Sequence, residues 1–159
     1  MIGKIEVPKR KINCSVCDTF FAPETLMTSR LFLGERGVIE RFDTCTVCEC
    51  PSGKKEISCW KTVFPSKKTL GIKQKQGKAK ELFDKLFKEA EDSFSQLYVL
   101  ALYLERRRTL IRRDVLREGD REIILFESVR SGELYPIVHT TLTASALEEI
   151  GEELGNILS

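Results

Sequence analysis

The chain has only one histidine, His139, among its 159 residues. It has no second histidine to form an acid and base pair with, and we expect it to be a tolerated surface or turn residue at a strand end. The sequence also contains no Gly-rich phosphate loop, no nucleophile elbow and no paired acidic metal site. These absences disfavour an enzyme, and we assign no catalytic residue.

Long hydrophobic runs are missing as well. The longest run, Leu97 to Leu104, has eight residues, whereas a membrane-spanning helix needs about 20. Residues 1–6 lack the apolar segment of a secretory signal. Hydrophobic residues make up 42% and charged residues 31% of the chain, which is ordinary for a globular protein. We therefore expect a soluble, cytoplasmic protein with no membrane partner.

Cysteine, in contrast, is present six times. Four of the six form two Cys-x2-Cys pairs, Cys14 with Cys17 and Cys45 with Cys48. A gap of two residues lets both sulfurs of a pair reach one ion, and thiolates favour Zn²⁺. A reducing compartment favours metal binding over disulfides. The spacing predicts one structural zinc ion in a closed four-thiolate site, and four buried free thiols are the weaker alternative.

The remaining cysteines, Cys50 and Cys59, leave alternatives open. Cys50 can replace Cys48 as a ligand, because a Cys-x-Cys spacing also brings two sulfurs close together. Cys59 lies beside Trp60 in a predicted strand, and we expect it to be a small buried apolar side chain. Two cysteines are too few for a second four-thiolate site.

Hydrophobic periodicity and turn residues predict an α+β fold in two parts. Residues 1–65 form a zinc ribbon, 66–78 a basic linker, and 79–159 an α+β domain that we expect to fold without the ribbon. In the ribbon, a hairpin of strands 26–33 and 38–43 turns at 34–37, and a third strand covers 57–64. In the second part, two helices over about 78–90 and from Ser93 precede a three-stranded meander over 109–117, 122–129 and 134–139.

Three local signals refine this second part. Ser93 with Gln96, and Ser145 with Glu148, have the spacing of capping boxes at the starts of the second and last helices. Pro136 places the last strand of the meander at a sheet edge. The strand 122–129 is apolar enough to be covered on both faces.

Charge is distributed unevenly along the chain. Residues 1–78 carry 15 Lys and Arg against 8 Asp and Glu, whereas residues 79–159 carry 11 against 16. The basic front half suits an anionic partner or the acidic back half. Linker lysines 67, 68, 73 and 75 serve either solubility or such a partner. Candidate partner-binding residues are Lys9, Arg10, Lys11, Arg36 at the hairpin turn, and Arg106, Arg107, Arg108, Arg112 and Arg113 at a helix–strand corner.

The arginine corner also has a simpler interpretation as a solvated face. Its arginines, with Arg117, can pair across the strands with four acidic residues, namely Glu105, Asp114, Glu122 and Glu127. We favour this interpretation over phosphate binding. Aromatic residues for stacking bases are few near these arginines, so single-strand recognition is not specifically indicated.

The segment ISCWKTVFP, followed by the segments ELFDKLF and YVLALYLERRR, resembles the sequences of a family of small bacterial proteins. Members of that family carry a ribbon-like N-terminal module and a helix motif of the form YVLALxLxRR. The similarity covers about Cys14 to Arg130 and depends on Trp60 and the segment from Tyr98. It implies the same architecture but no catalytic residue. The family's cysteines vary between members, so the resemblance by itself implies no metal.

Three functions are consistent with the sequence. The leading hypothesis is a non-catalytic, zinc-stabilised binding or adaptor protein whose partner is a protein. The first alternative is association with nucleic acid or the ribosome through the basic front half. The second is an enzyme without a recognisable motif, such as a hydrolase or a redox-responsive protein.

Overall fold

A computed structural model describes residues 6–50, 53–66, 77–89 and 93–159. Within them the protein is α+β, with three helices and two three-stranded antiparallel sheets. In chain order the elements are β1 (Leu26–Leu33), β2 (Ile39–Cys45), β3 (Lys55–Val63), α1 (Lys78–Glu89), α2 (Phe94–Arg106), β4 (Leu110–Glu118), β5 (Arg121–Ser128), β6 (Leu134–Val138) and α3 (Ala144–Leu158). None of these helices is long and apolar enough to cross a membrane. The linker lysines lie outside the described residues.

The first sheet has the order β2-β1-β3, so β1 lies in its middle. β1 begins and ends where the sequence predicts, and β2 extends two residues further than predicted, to Cys45. The β1–β2 turn is a short 3₁₀ turn, in which Arg36 adopts a left-handed conformation with φ 58°. Residues of the three strands that pair with one another share one face of the sheet. That inner face carries both apolar and polar side chains: Ser29, Leu31, Arg41, Asp43, Ser58 and Trp60.

The second sheet has the order β4-β5-β6. β6 is an edge strand, as Pro136 predicts, and β5 is covered on both faces. Alternate residues of β5 point to opposite faces. Ile124 and Phe126 pack with the helices, whereas Leu125 packs with the first sheet. The second sheet therefore lies between the helices and the first sheet.

The helix starts differ from the predicted capping boxes. Thr143, not Ser145, caps α3, because Thr143 has extended backbone angles and its Oγ1 accepts a hydrogen bond from the Ala146 N–H at 3.2 Å. Ser145 already lies inside the helix. Ser93 does precede α2, but its side chain makes no capping hydrogen bond. Its ψ of 36° is far from the extended conformation typical of a capping residue.

The two sheets pack directly against each other. One buried apolar cluster contains Leu31, Ile39 and Trp60 from the first sheet and Leu125 and Leu134 from the second. A fragment of residues 79–159 would lose the first-sheet side of this cluster. The division into a ribbon, a linker and a second domain stays a prediction.

A buried set of charged side chains also joins the sheets, and we call its four members the arginine clamp: Arg10, Arg41, Arg113 and Glu127. The Glu127 side chain is fully buried on β5. Its carboxylate accepts hydrogen bonds from Arg41 at 2.8 Å and from Arg113 at 3.1 Å, and lies 3.6 Å from Arg10. The carbonyl of Gly132 accepts from the Arg10 N–H at 3.0 Å and from Arg41 Nη1 at 2.9 Å.

Candidate metal centre

Both predicted cysteine pairs converge on one point at an end of the first sheet. The Sγ atoms of Cys14, Cys17, Cys45 and Cys48 all lie within 4.8 Å of one another. The first pair is held by a tight turn, which an antiparallel bridge between Asn13 and Phe20 closes. Within that turn, the Cys14 N–H donates to the Thr19 carbonyl, and the Asp18 N–H donates to the Cys14 carbonyl. Asp18 adopts a left-handed conformation with φ 62°, which reverses the chain between the two strands of the bridge.

The second pair is positioned by β2. Cys45 is the last residue of β2 and is paired with Met27 of β1, so the hairpin fixes its place. The buried side chains of Cys14, Phe21, Met27 and Phe64 form an apolar floor on which Cys45 and Cys48 pack. The four sulfurs therefore lie at the edge of a packed cluster.

Asp43 ties the two cysteine pairs together. Its carbonyl accepts from the Ser15 N–H at 2.7 Å, and its own N–H donates to Ser15 Oγ at 3.1 Å. Its carboxylate accepts from the Lys11 N–H at 2.9 Å. Because Ser15 lies between Cys14 and Cys17, the bonds of the Asp43 backbone to Ser15 fix the first turn against β2.

The electrostatics of the four thiols favour a shared cation. Burial acts to raise the pKa of Cys14, but backbone N–H groups of Cys17, Cys45 and Val16 outweigh it and lower that pKa. A hydrogen bond from Thr19 lowers the pKa of Cys17 to about 6. The neighbouring sulfurs, Cys45 first, raise the pKa of Cys48 to about 12. Four thiolates this close repel one another, and a bound cation removes that repulsion.

The arrangement fits a metal ion. Tetrahedral thiolate coordination with bonds of about 2.3 Å places sulfurs about 3.8 Å apart. The distance between Cys17 Sγ and Cys45 Sγ is 3.9 Å. The four cysteines can therefore hold a metal ion, and with four protein ligands a tetrahedral ion has no open position for a substrate.

The other two cysteines lie outside this cluster. Cys59 is exposed, not buried as the sequence predicts, because it lies on the outer face of β3 while its neighbours Ser58 and Trp60 point inward. Cys50 is half-buried, and burial raises its pKa. Within the described residues, the metal-ligating group contains Cys48 and not Cys50.

The structure separates the candidate partner-binding residues into two groups. Arg10 and Arg113 belong to the arginine clamp, where their side chains are 6% and 14% exposed. They hold the two sheets together, so neither offers a free guanidinium to a partner. Arg112 is bonded to Glu105 at 3.2 Å, in line with the solvated-face interpretation, as is Arg117 with Glu122 at 3.1 Å. The others are exposed: Lys9, Lys11, Arg36, Arg106, Arg107 and Arg108.

Two smaller expectations concern Asp114 and His139. Asp114 bonds Ser58 of the first sheet instead of an arginine of the corner. His139 follows β6 directly, is exposed, and contacts the Tyr98 ring edge-on at 5.2 Å between centroids. This placement agrees with a surface histidine.

The sequence does not single out Arg41 or Asp43, and it offers Glu127 as an acidic partner of the arginine corner without predicting that it is buried. The alternation Ile39, Arg41, Asp43 was visible, but it does not tell which face of β2 is buried. Val38 is 60% exposed while Arg41 is 3% exposed, so the charged face points inward. The one signal in the sequence is that Arg41 and Asp43 follow Ile39 at intervals of two residues, which places all three side chains on the same face of β2.

Large apolar side chains surround the cysteines on the outside, and we call four of them the knuckle face: Ile12, Val16, Phe20 and Val47. They are exposed by 61%, 47%, 72% and 88% respectively. Val16 and Val47 lie inside the two Cys-x2-Cys pairs, and the carbonyl of Ile12 accepts from the Phe21 N–H. The cysteine cluster thus holds four apolar side chains in contact with solvent.

Comparison of the chain with protein-family models, with curated proteins and with solved structures finds no match. The resemblance to the small bacterial family stays an expectation, and the function is argued from the site itself.

Proposed function

We propose that the protein is a non-catalytic, zinc-stabilised binding protein, whose first sheet and cysteine turns form a zinc ribbon that docks onto a partner protein. The observation that carries the proposal is the convergence of four cysteine sulfurs within 4.8 Å, surrounded by the exposed knuckle face. The zinc ion is structural in this proposal, since four thiolates close its coordination sphere.

Zinc is the metal that these ligands favour. Thiolates are soft donors, and a tetrahedral four-sulfur set is typical of zinc or iron. A structural role explains why the cysteines lie in a tight turn and at the end of a short hairpin strand, where a shared metal ion joins the two segments. A small sheet gains folding free energy from the metal that its own core cannot supply.

The exposed side chains favour a protein as partner. Three of the four knuckle-face residues are aliphatic, and aliphatic side chains bury against apolar protein surfaces rather than stacking on bases. The charges around them are mixed, because exposed Lys9 and Lys11 lie in the same region as exposed Asp18 and Glu49. Nucleic acid needs an excess of exposed cations, and Arg10 and Arg113 are occupied in the clamp.

The hairpin turn with Arg36 is the alternative docking element, and the fold separates it from the knuckle face. β2 runs from Ile39, next to the turn, to Cys45 at its end. At about 3.4 Å per residue, the two elements are roughly 20 Å apart. Substitutions at one element therefore leave the other unchanged.

We expect the double substitution Phe20→Ser and Val47→Ser to abolish docking without loss of zinc or of folding. Both side chains are exposed, so the free energy of unfolding should change by less than about 0.5 kcal/mol. The matched control is Val38→Ser, which removes an exposed aliphatic side chain beside the hairpin turn. Quantitative photo-crosslinking from position 16, followed by identification of the crosslinked proteins, measures docking for each variant.

The proposal requires a crosslinked protein that the double variant loses and the control variant keeps. Equal crosslinking by both variants would remove the knuckle face from the docking role. Binding of a 20-nucleotide RNA or DNA tests the nucleic-acid alternative. Affinity that falls steeply with salt, with a slope that Lys9→Ala and Lys11→Ala reduce, would replace the protein partner by nucleic acid.

A further inference from the structure

A continuous chain of hydrogen bonds runs from the cysteine cluster to the second sheet. It begins at Ser15 between the first two cysteines. The Ser15 N–H donates to the Asp43 carbonyl, and the Asp43 N–H donates to Ser15 Oγ. Asp43 Oδ1 then accepts from Arg41 Nε at 3.1 Å and from Ser29 Oγ at 2.5 Å. Arg41 ends the chain on Glu127 at 2.8 Å and on the Gly132 carbonyl at 2.9 Å.

Every side chain in the centre of this path is buried. Ser29 and Asp43 are fully buried, and so are the side chains of Arg41 and Glu127. Separating two buried, paired ions costs much free energy, because each charge is then left uncompensated in the protein interior. A displacement of Asp43 therefore weakens the clamp directly, since the Asp43 carboxylate accepts a hydrogen bond from Arg41 Nε at 3.1 Å.

Gly132 lies at the end of this path, and no larger residue fits at its position unless Arg10 moves. It has φ +69°, and a Cβ atom there would lie 2.2 Å from the Cβ of Arg10. The tail that leads into Cys14 thus passes over the turn between β5 and β6 in close contact. The first cysteine pair is tied to the second sheet from two sides, through Arg10 and through Arg41.

We propose that zinc binding at the cysteine cluster and closure of the arginine clamp are thermodynamically coupled, so that metal occupancy controls how firmly the two sheets are held together. The inference rests on the proposed zinc site. When zinc is bound, Ser15 and Asp43 are fixed and the clamp is closed. When zinc is lost, Asp43 is released, the clamp loosens, and the apolar cluster of Leu31, Trp60 and Leu125 opens to solvent.

Coupling of this kind is reciprocal, which gives a sharp test. Glu127→Gln weakens the clamp at its far end, where the residue has no contact with a cysteine. We expect it to lower zinc affinity by at least about fivefold, the lower end of typical coupling between sites. The control is Glu122→Gln on the same strand, whose carboxylate makes a half-exposed pair with Arg117. It should leave zinc affinity unchanged.

The measurement is competition for zinc between the full-length protein and a chromophoric chelator. If Glu127→Gln lowers the folded yield, Arg113→Lys is the second variant. It keeps the positive charge but loses the guanidinium that bonds both Glu127 and Thr62 of the first sheet, and it should weaken zinc binding in the same direction. Equal affinities of the wild type and both clamp variants, at full zinc stoichiometry, would overturn the coupling and leave the zinc site intact. A wild-type chain that takes up no zinc would overturn both.

A second readout follows the clamp directly. Trp60 is the sole tryptophan and lies in the inter-sheet cluster, with the Arg41 guanidinium 5.6 Å from its ring centre. Zinc removal from the wild type should shift its emission to longer wavelength and increase amide hydrogen exchange in residues 123–128. Loss of all zinc with no change in the exchange of these residues would contradict the coupling, because β5 carries no metal ligand.

Discussion

Replacing Cys14 by serine should abolish zinc binding and unfold the first sheet. Cys14 is the most buried of the four cysteines, at 1% exposure, and its sulfur accepts from the N–H groups of Val16 and Cys45 at 3.5 Å. Structural zinc sites in small modules supply about 10 kcal/mol or more. That amount is comparable with the whole stability of an ordinary domain, about 5–15 kcal/mol.

The measurement combines metal analysis with hydrogen exchange of β1 and β2. We expect no bound zinc in Cys14→Ser and loss of amide protection over residues 26–45. Cys50→Ser is the matched control, because Cys50 is a half-buried cysteine outside the cluster. It should keep one zinc ion and full protection. Full zinc occupancy in Cys14→Ser would show that the ligand set is wrong.

Replacing Glu127 by alanine should destabilise the zinc-bound protein by about 3–5 kcal/mol, the usual cost of leaving a buried ion without its partner. Glu127 is fully buried, accepts hydrogen bonds from Arg41 and Arg113, and lies 3.6 Å from Arg10. After its removal, Asp43 still accepts a hydrogen bond from Arg41, but the contacts of Arg10 and Arg113 with Glu127 are lost.

Urea unfolding at saturating zinc, followed by circular dichroism, measures this loss. Glu122→Ala is the control, because its pair with Arg117 is exposed and surface pairs contribute only about 0–1 kcal/mol. A cost below about 1 kcal/mol for Glu127→Ala would mean that the clamp does not stabilise the contact between the sheets.

The sequence predicts the elements of this fold well and their faces poorly. Alternation and turn residues place β1 correctly to the residue, and Pro136 correctly places β6 at an edge. The cysteine spacing predicts which four sulfurs converge. These signals are local, since each depends on residues a few positions apart.

The parts that were missed depend on contacts between distant segments. The sequence offers Arg10 as a candidate partner-binding cation, and it pairs Arg113 and its neighbours with acidic residues, Glu127 included, only as a solvated face. Their partner, Glu127, is 117 and 14 positions away and lies inside an apolar strand. A buried carboxylate at that position is stable only because the packed sheets bring arginines to it, and a local sequence pattern does not show how the sheets pack.

Capping shows the same limitation on a smaller scale. Ser145 and Glu148 have the right spacing, but Thr143 is the residue whose backbone is extended at the start of α3. The side-chain spacing alone does not fix the start of the helix. The residue that caps α3 is the one whose backbone is extended, and the connection from β6 decides which residue that is.

The most direct test of the account is native mass spectrometry of the full-length protein with X-ray absorption at the metal edge. We expect one zinc ion per chain with four sulfur neighbours at about 2.3 Å. A chain purified without metal that takes up no zinc at neutral pH, or a zinc ion with nitrogen or oxygen neighbours, would contradict it.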